Sequence, residues 1–554
     1  MLRSNINIHE RAYLASLILI AVSIPLSKFM MSIGEFTLLA FWIWAGFSFR
    51  IAYRFFKIGG FFKGLFSFLG YLAELAYRNF TEKFALFFRN KPAMVLWSIY
   101  LMHIAGILWT TDTDYAIKDL RVKLPMLMFP VILSTMRRIS YKEFRVLLIF
   151  YTAAVFAGSL ISFGLILKGD FTDIRDIAPF VGSIRFGLNI SFAFCILIYF
   201  IIFDARFKVW HRAGFTVVAA WFLIFLVLME SMTSLSIIVV IAMIFLLIRM
   251  MKTRNVSLRI TFALAIIAIP VVIFLYIRNV VVEATTPPDI DFGMLDTHTA
   301  QGNVYWHDTV TRGVEDGRYV GLYICQTELE ESWNARSDQN FKSKTYGGHE
   351  IKETLIRYLT SKNLRKDAEG VNALTEQDIQ MIENGVANYH YVHNPGLRVR
   401  ILKIIKGYEV YKKTGDPSGS SVMQRIEYSR GSLKLIAQNF WFGVGTGDIE
   451  DALIRTYKAM NSELRSEYMF HAHNQYFAIF ITFGVFGFIW FIIALIYPPF
   501  VLRRFGDYFF LTFFLIITLS MLSDDTLETQ AGATLFAFFY TFLLFGRSSE
   551  NPIT

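Results

Sequence analysis

The chain has 554 residues, 55% of them hydrophobic and only 18% charged, with a net charge of +10. Soluble domains run at roughly 45–50% apolar and about 25% charged, and no soluble interior would hold this much apolar surface, 56 phenylalanines included, so lipid must solvate part of the molecule. The positive balance is no nucleic-acid footprint, because the basic residues lie in short loops beside apolar blocks, where they act as topology signals.

Apolar blocks of the length a helix needs to cross a bilayer, about 17–25 residues, fall near 12–28, 32–49, 93–109, 122–136, 146–168, 186–203, 213–229, 233–249, 259–277, 472–497, 507–523 and 531–546. The first runs straight on into the second, so no cleavable leader is expected. A backbone in lipid must satisfy its own hydrogen bonds, which makes these blocks helices. Lys and Arg fall in alternate loops: Arg50 to Lys91, Arg137 to Arg145, Arg206 to Arg212, Arg249 to Arg259, and Arg503 with Arg504. The intervening loops carry acids, as in Asp112 and Asp114, Glu230, and Asp524-Asp525-Thr526-Leu527-Glu528. The pattern predicts an all-α polytopic membrane protein of about twelve transmembrane helices with both termini in the cytoplasm.

The same count places a large, mostly helical loop domain, 278–471, outside the membrane between helices nine and ten. Helices one to nine then occupy 1–277, and helices ten to twelve with a cytoplasmic tail occupy 472–554. Within the loop, Ile351 to Leu359 reads as an amphipathic helix. Thr375-Glu376-Gln377-Asp378 resembles a capping box, with a helix running on to a stop at Gly385. Another helix begins at Asp448. The stretch from Val282 to Asn394 offers no motif that ties it to a substrate. The two cysteines, Cys195 and Cys325, lie 130 residues apart and give neither a disulfide framework nor a metal spacing.

Four places hold polar groups at the outer face. Arg185, in Gly182-Ser183-Ile184-Arg185-Phe186-Gly187, reads either as a snorkelling interfacial arginine or as a fork of donors for an anion. Arg425 and Arg430, in QRIEYSR, are five apart and on one helix do not share a face perfectly; alone they read as a solvated surface. The turn Gly443-Val444-Gly445-Thr446-Gly447-Asp448 lacks the spacing and βαβ context of a dinucleotide fingerprint. It reads as a turn capped by Asp448, with backbone amides to offer a phosphate. The sharpest is His471-Ala472-His473-Asn474 at the head of the tenth block. Histidine suits proton abstraction near neutral pH, and three polar side chains there are costly to desolvate without partners. On a regular helix the two histidines would point about 200° apart, one toward a cavity and the other into packing. A zinc site lacks further spaced ligands, since helical zinc pairs favour i, i+4.

Three motifs, GSIRFGLNIS, QRIEYSRGSLKLIAQNFWFGVGTGDIEDAL and HAHNQYFAIFITFGVFG, in this order and at these places among twelve spans, resemble the O-antigen ligase and polymerase family of bacterial envelope glycosyltransferases. The resemblance is strongest over about 180–250 and 420–500. It implies the C-type membrane glycosyltransferase fold and the bacterial inner membrane, with the loop in the periplasm. It also implies a glycan donor carried on a polyprenyl pyrophosphate, and metal-independent, inverting transfer with no cofactor. Acceptors in this family's range are lipid A-core for a ligase, the growing glycan for a polymerase, and protein for an oligosaccharyltransferase. Carried over by motif, Arg185 and Arg425 would hold the pyrophosphate and His473 would be the base. His471, Arg430 and Asn474 would support substrate binding. The chain departs from the family at Glu230-Ser231-Met232, where members often carry an arginine; Met232 cannot replace that cation. A transporter or flippase is the competing class, but no repeated halves or paired broken segments support it.

Overall fold

A computed structural model of the chain describes residues 8–168, 177–393, 396–469 and 471–548. The first half is a run of helices: α1 (Ile8–Leu26), α2 (Lys28–Ile43), α3 (Phe49–Arg89), α4 (Lys91–Ala105), α5 (Thr113–Thr135), α6 (Tyr141–Lys168), α7 (Ser183–Ile202), α8 (Val209–Leu228), α9 (Met232–Lys252) and α10 (Val256–Thr285). A small hairpin of β1 (Val314–Glu315) and β2 (Arg318–Tyr319) follows. Then come α11 (Gln326–Asn334), α12 (Ile351–Ser361), α13 (Ala368–Asn372), α14 (Glu376–Glu383), α15 (His390–His393), α16 (Leu397–Thr414), α17 (Ser421–Gln438) and α18 (Ile449–Ala459). The chain closes with α19 (Gln475–Val501), α20 (Tyr508–Ser520) and α21 (Gln530–Thr541).

Each of the twelve apolar blocks falls on a helix. Among the described residues eight helices are long and apolar enough to cross a membrane: α1, α4 with its extension to Trp109, α6, α7, α8, α9, α10 and α19. The other four fall short for identifiable reasons. α2 has 16 residues, α20 has 13 and α21 has 12, while α5 carries Asp114, Lys118, Asp119, Arg121 and Lys123. The basic segment 50–92 is not an open loop but the 41-residue helix α3, on which aromatic and basic residues alternate. Asn79 of α3 donates to the carbonyls of Ile43 and Ala45, tying it to the end of α2.

The bundle packs around α5 and α7. α5 lies against α4 and α21, and α7 against α6, α8, α9 and α20. α7 is buried along most of its length, which fixes Arg185 at its first turn. α10 stands outermost and packs on α9 and, at its far end, on α16. In the loop domain the expected capping box is present, with Thr375 accepting from the Asp378 amide and Asp378 accepting in return. Gly385 follows α14 at φ +92°.

The glycine turn has a different use from the one its composition suggests. Gly484 breaks α19 at φ +66°, and the segment 440–447 crosses the break. The Val444 amide donates to the Ile481 carbonyl at 2.8 Å and the Gly445 amide to Thr482 at 3.0 Å, while the Val485 amide donates to Phe440 at 2.8 Å. Asp448 caps no helix of its own; its carboxylate accepts from the Thr111 and Asp112 amides, both at 2.8 Å. The turn's amides are spent on the protein and are not free for a phosphate. A Cβ on Gly484 would lie 2.2 Å from the Trp441 carbonyl carbon. Gly484→Ala should therefore lower stability by about 3 kcal/mol through backbone strain and overpacking. Thermal unfolding of the purified protein in detergent checks this, and an unchanged midpoint contradicts it.

Candidate functional site

The heads of α7 and α19 and the loop 521–528 before α21 converge, with α17 closing one side. Arg185 is 16% exposed, and its Nη2 lies 3.0 Å from Asp524 Oδ2 and 3.5 Å from Asp525 Oδ1. Its Nε is buried with no hydrogen-bond partner among the described residues. A buried donor left so costs about 1–3 kcal/mol, so this fork retains capacity for an oxygen from outside the protein.

His473 sits just ahead of α19 with φ +45°, a left-handed conformation in which non-glycine residues are uncommon. Its Nδ1 lies 3.8 Å from Asp525 Oδ1, an electrostatic contact beyond hydrogen-bond reach. The imidazole packs on the ring of Tyr428 at 5.1 Å, and the Tyr428 hydroxyl is held by the Tyr468 carbonyl at 2.7 Å. Burial is the main reason that the His473 pKa lies below its ordinary 6.5. Asp525 opposes the shift, and Arg425, His471 and Arg185 add to it.

Arg425 is half-buried on α17, and its charge acts on both His473 and Asp524. The structure thus brings together Arg185, Arg425 and His473. The remaining candidates lie around this group or away from it. His471 turns to Tyr115, whose hydroxyl is 3.3 Å from its Nε2, and its buried Nδ1 has no hydrogen-bond partner among the described residues. The two histidines do diverge, but in a loop ahead of the helix rather than by helical period. Asn474 caps α19, accepting from the Phe477 amide at 3.1 Å, and donates to the Leu522 carbonyl at 3.0 Å. Both ends of its side chain serve the protein. Arg430 is 59% exposed and paired with Glu427 at 2.5 Å, outside the group. Two residues before Met232, Glu230 pairs with Lys403 of α16, whose Nζ is 3.0 Å away.

Residues 377–492 match the family model of O-antigen ligase. No curated protein matches the chain. The matched segment carries Arg425, Arg430, His471, His473, Asn474 and the Gly484 break, and leaves Arg185 outside. The resemblance to the O-antigen ligase family is thereby shown for this segment.

Asp524 and Asp525 were legible in the sequence only as topology signals. Two adjacent carboxylates at the end of an apolar block are expensive unless cations face them, and that cost was the available clue. Burial and the neighbouring Asp525 push the Asp524 pKa up to about 6, against the pull of Arg185 and Arg425. His473, Asp524 and Asp525 also bring ligand atoms within 4.8 Å of one another, a set that suits a divalent cation. The Arg185 guanidinium is already paired with both of these carboxylates.

A second ionic group fixes this loop. Lys123 of α5 is buried and pairs with Asp119 and, at 2.6 Å, with Glu528. Glu528 accepts from Gln475 at 2.8 Å, and Gln475 accepts from the Leu527 amide at 2.8 Å. The Gln475 amide in turn donates to the Met521 carbonyl at 2.9 Å. Lys123→Met would leave the buried Asp119 and the half-buried Glu528 without their cation, and breaking a buried ion pair costs about 3–5 kcal/mol. A large drop in the thermal midpoint is expected, and a wild-type midpoint would refute the anchoring role.

Proposed function

We propose that the protein is an O-antigen ligase-type glycosyltransferase that moves a glycan from a polyprenyl-pyrophosphate carrier to an acceptor, with lipid A-core as the leading candidate. The observation carrying this reading is the convergence of Arg185, with its unspent Nε, and Arg425 on His473 at the heads of two apolar helices. The match over 377–492 supports the same class. In this reading the chain spans the inner membrane twelve times with both termini inside, and the domain 278–471 lies in the periplasm over the site.

Transfer proceeds as a single displacement. An acceptor hydroxyl gives its proton to His473 while its oxygen attacks the anomeric carbon. The bond from that carbon to the pyrophosphate oxygen breaks, and the leaving pyrophosphate takes the electron pair. Configuration inverts. The two guanidiniums neutralise the charge that grows on the leaving group, which is where preorganised charge contributes most. Asp525 holds the positive charge that His473 gains. A neutral imidazole must start the cycle, and the lowered His473 pKa supplies it at neutral pH.

His473→Ala should reduce transfer by about 10²–10⁴-fold with membrane insertion intact. The test is a deletion strain complemented with each form, its surface glycolipids and carrier-linked glycans separated by size. Long polymer stranded on the carrier beside bare core establishes a ligase, and core bearing a single repeat establishes a polymerase. Unchanged pools reject both. Chelation with EDTA should leave the purified enzyme's rate unaltered; loss restored by Mg²⁺ or Mn²⁺ would instead give His473, Asp524 and Asp525 a metal.

The acid limb of kcat/KM reports the free enzyme's base. It should fall below pH 6.5, because protonation of a base with a lowered pKa begins only at lower pH. Asp525→Asn removes the charge that raises that pKa, so the limb should move to still lower pH while the rate drops. A limb that stays in place would remove Asp525 from this role.

A further inference from the structure

At the end of the bundle away from Arg185, a groove of about 1080 Å³ opens between α7, α9, α10 and the head of α20. It follows from how these helices pack. α9 lies on α7, α20 and α10, whereas α10 stands outermost and contributes only Phe262 to the walls. The second halves of α7 and α9 each turn an apolar face into the gap, with Ile198 and Ile202 on the one and Ile241 and Phe245 on the other. The Tyr508 hydroxyl, also in the lining, donates to the Cys195 carbonyl at 2.9 Å and is spent on the protein. A groove so poor in polar partners does not hold water well. Between helices long and apolar enough to cross a membrane, hydrocarbon fills it.

One end of the groove is cationic. Arg249 and Lys252, in the last turn of α9, line it, and among the described residues no carboxylate does. Lys252 already has a contact within the protein, so the case rests on Arg249. The Arg249 guanidinium lies 5.0 Å over the Phe203 ring and makes no ion pair among the described residues. A stacked guanidinium keeps its N–H edge for an oxygen acceptor. The carboxylates at the neighbouring helix ends are engaged elsewhere. Asp204 accepts from the Tyr141 hydroxyl at 3.0 Å and faces Arg145 at 3.8 Å, while Asp507 pairs with Arg547. From Ser231 to Ile277 the chain carries Arg249, Lys252, Arg254 and Arg259 and no Asp or Glu. Orientation in a membrane asks only for such charges near the turn. It does not ask for one of them on the rim of an apolar groove, and basic pockets between membrane helices are where anionic lipid headgroups are held.

Depth separates this groove from the transfer site. Arg185 stands at the first turn of α7, and Ile202 is 17 residues on, roughly 26 Å along the axis. Phe203, which carries the Arg249 guanidinium, follows Ile202. A headgroup seated at Arg249 therefore does not reach Arg185.

We propose that the groove holds a phospholipid with an anionic headgroup, its acyl chains along α7 and α9 and its phosphate on Arg249. The site is independent of the transfer reading and is tested without it. The full-length protein, stripped of lipid in detergent, is titrated with dioleoyl phosphatidylglycerol, dioleoyl phosphatidylcholine, undecaprenyl phosphate and glycerol 3-phosphate. Native mass spectrometry follows the first molecule bound. Phosphatidylglycerol should bind about tenfold more tightly than phosphatidylcholine, the value of one charge-assisted contact. Arg249→Gln should remove most of that preference. Arg259→Gln, which takes the same charge from outside the groove, should leave it in place. Ala242→Trp, which fills the groove without touching a charge, should weaken both phospholipids.

Equal affinity for the two phospholipids overturns the proposal, as does a preference that survives in Arg249→Gln or binding unchanged in Ala242→Trp. A loss in Arg259→Gln as large as in Arg249→Gln also overturns it, because it would mark attraction to the whole surface. Glycerol 3-phosphate binding as tightly as phosphatidylglycerol would leave only a bare anion site. Undecaprenyl phosphate preferred over phosphatidylglycerol, with that preference lost in Arg249→Gln, would give the groove to a carrier lipid. Either result rejects the phospholipid.

Discussion

The arrangement of the candidate site depends on one ion group, the buried Lys123 between Asp119 and Glu528. An ammonium removed from water loses several kcal/mol of solvation even after relaxation, so Lys123 requires both carboxylates where they stand. That requirement fixes Glu528, and Glu528 with Gln475 fixes the turn before α21 against the head of α19. The Asn474 bond to Leu522 closes the same joint. His473 is carried on one side of it and Asp524 and Asp525 on the other. Met521, Leu527 and Ala472 are buried in the surrounding core, and the charge pairing fixes the polar residues between them.

Charge balance explains how so many ionic groups persist at the end of apolar helices. Arg185 and Arg425 face Asp524 and Asp525, while His473 is held neutral by its burial. The group is close to electroneutral before any ligand arrives. A pyrophosphate would add negative charge beside carboxylates already short of water. Asp524, with its pKa pushed up to about 6, can take up a proton in response. Arg185 would then be released from one carboxylate as it gained a phosphate oxygen.

The helices and several site residues were legible in the sequence because each announces itself locally. Apolar length marks α6 to α10 and α19, and the polar run His471 to Asn474 marks the head of a helix that should not begin so expensively. The Thr375 capping box is equally local. What escaped depends on distance. Asp524 and Asp525 meet Arg185 across about 340 residues, and nothing near either end records the pairing. Gly484 looks like one more small residue in an apolar helix until the Trp441 backbone crosses it. The basic segment 50–92 was read through its charges, which hid the aromatic periodicity that makes it the helix α3.

The glycine turn shows why composition alone misassigned a role. Three glycines and a threonine suggest amides free for a ligand, yet a broken transmembrane helix creates a stronger demand. At Gly484 the α19 ladder exposes the carbonyls of Ile481 and Thr482 and the amide of Val485, and unpaired groups of that kind are costly in lipid. The backbone of 440–445 satisfies them, and it comes this close because Gly443, where a Cβ would lie 2.4 Å from the Thr482 carbonyl, has no side chain. The same crossing carries Asp448 to the Thr111 and Asp112 amides, and so joins α18 to the start of α5. Since α5 bears Lys123, the glycine crossing and the buried ion pair grip the same helix from its two neighbours. In the transfer reading proposed above, phosphate recognition therefore falls to the side chains of Arg185 and Arg425 rather than to these amides.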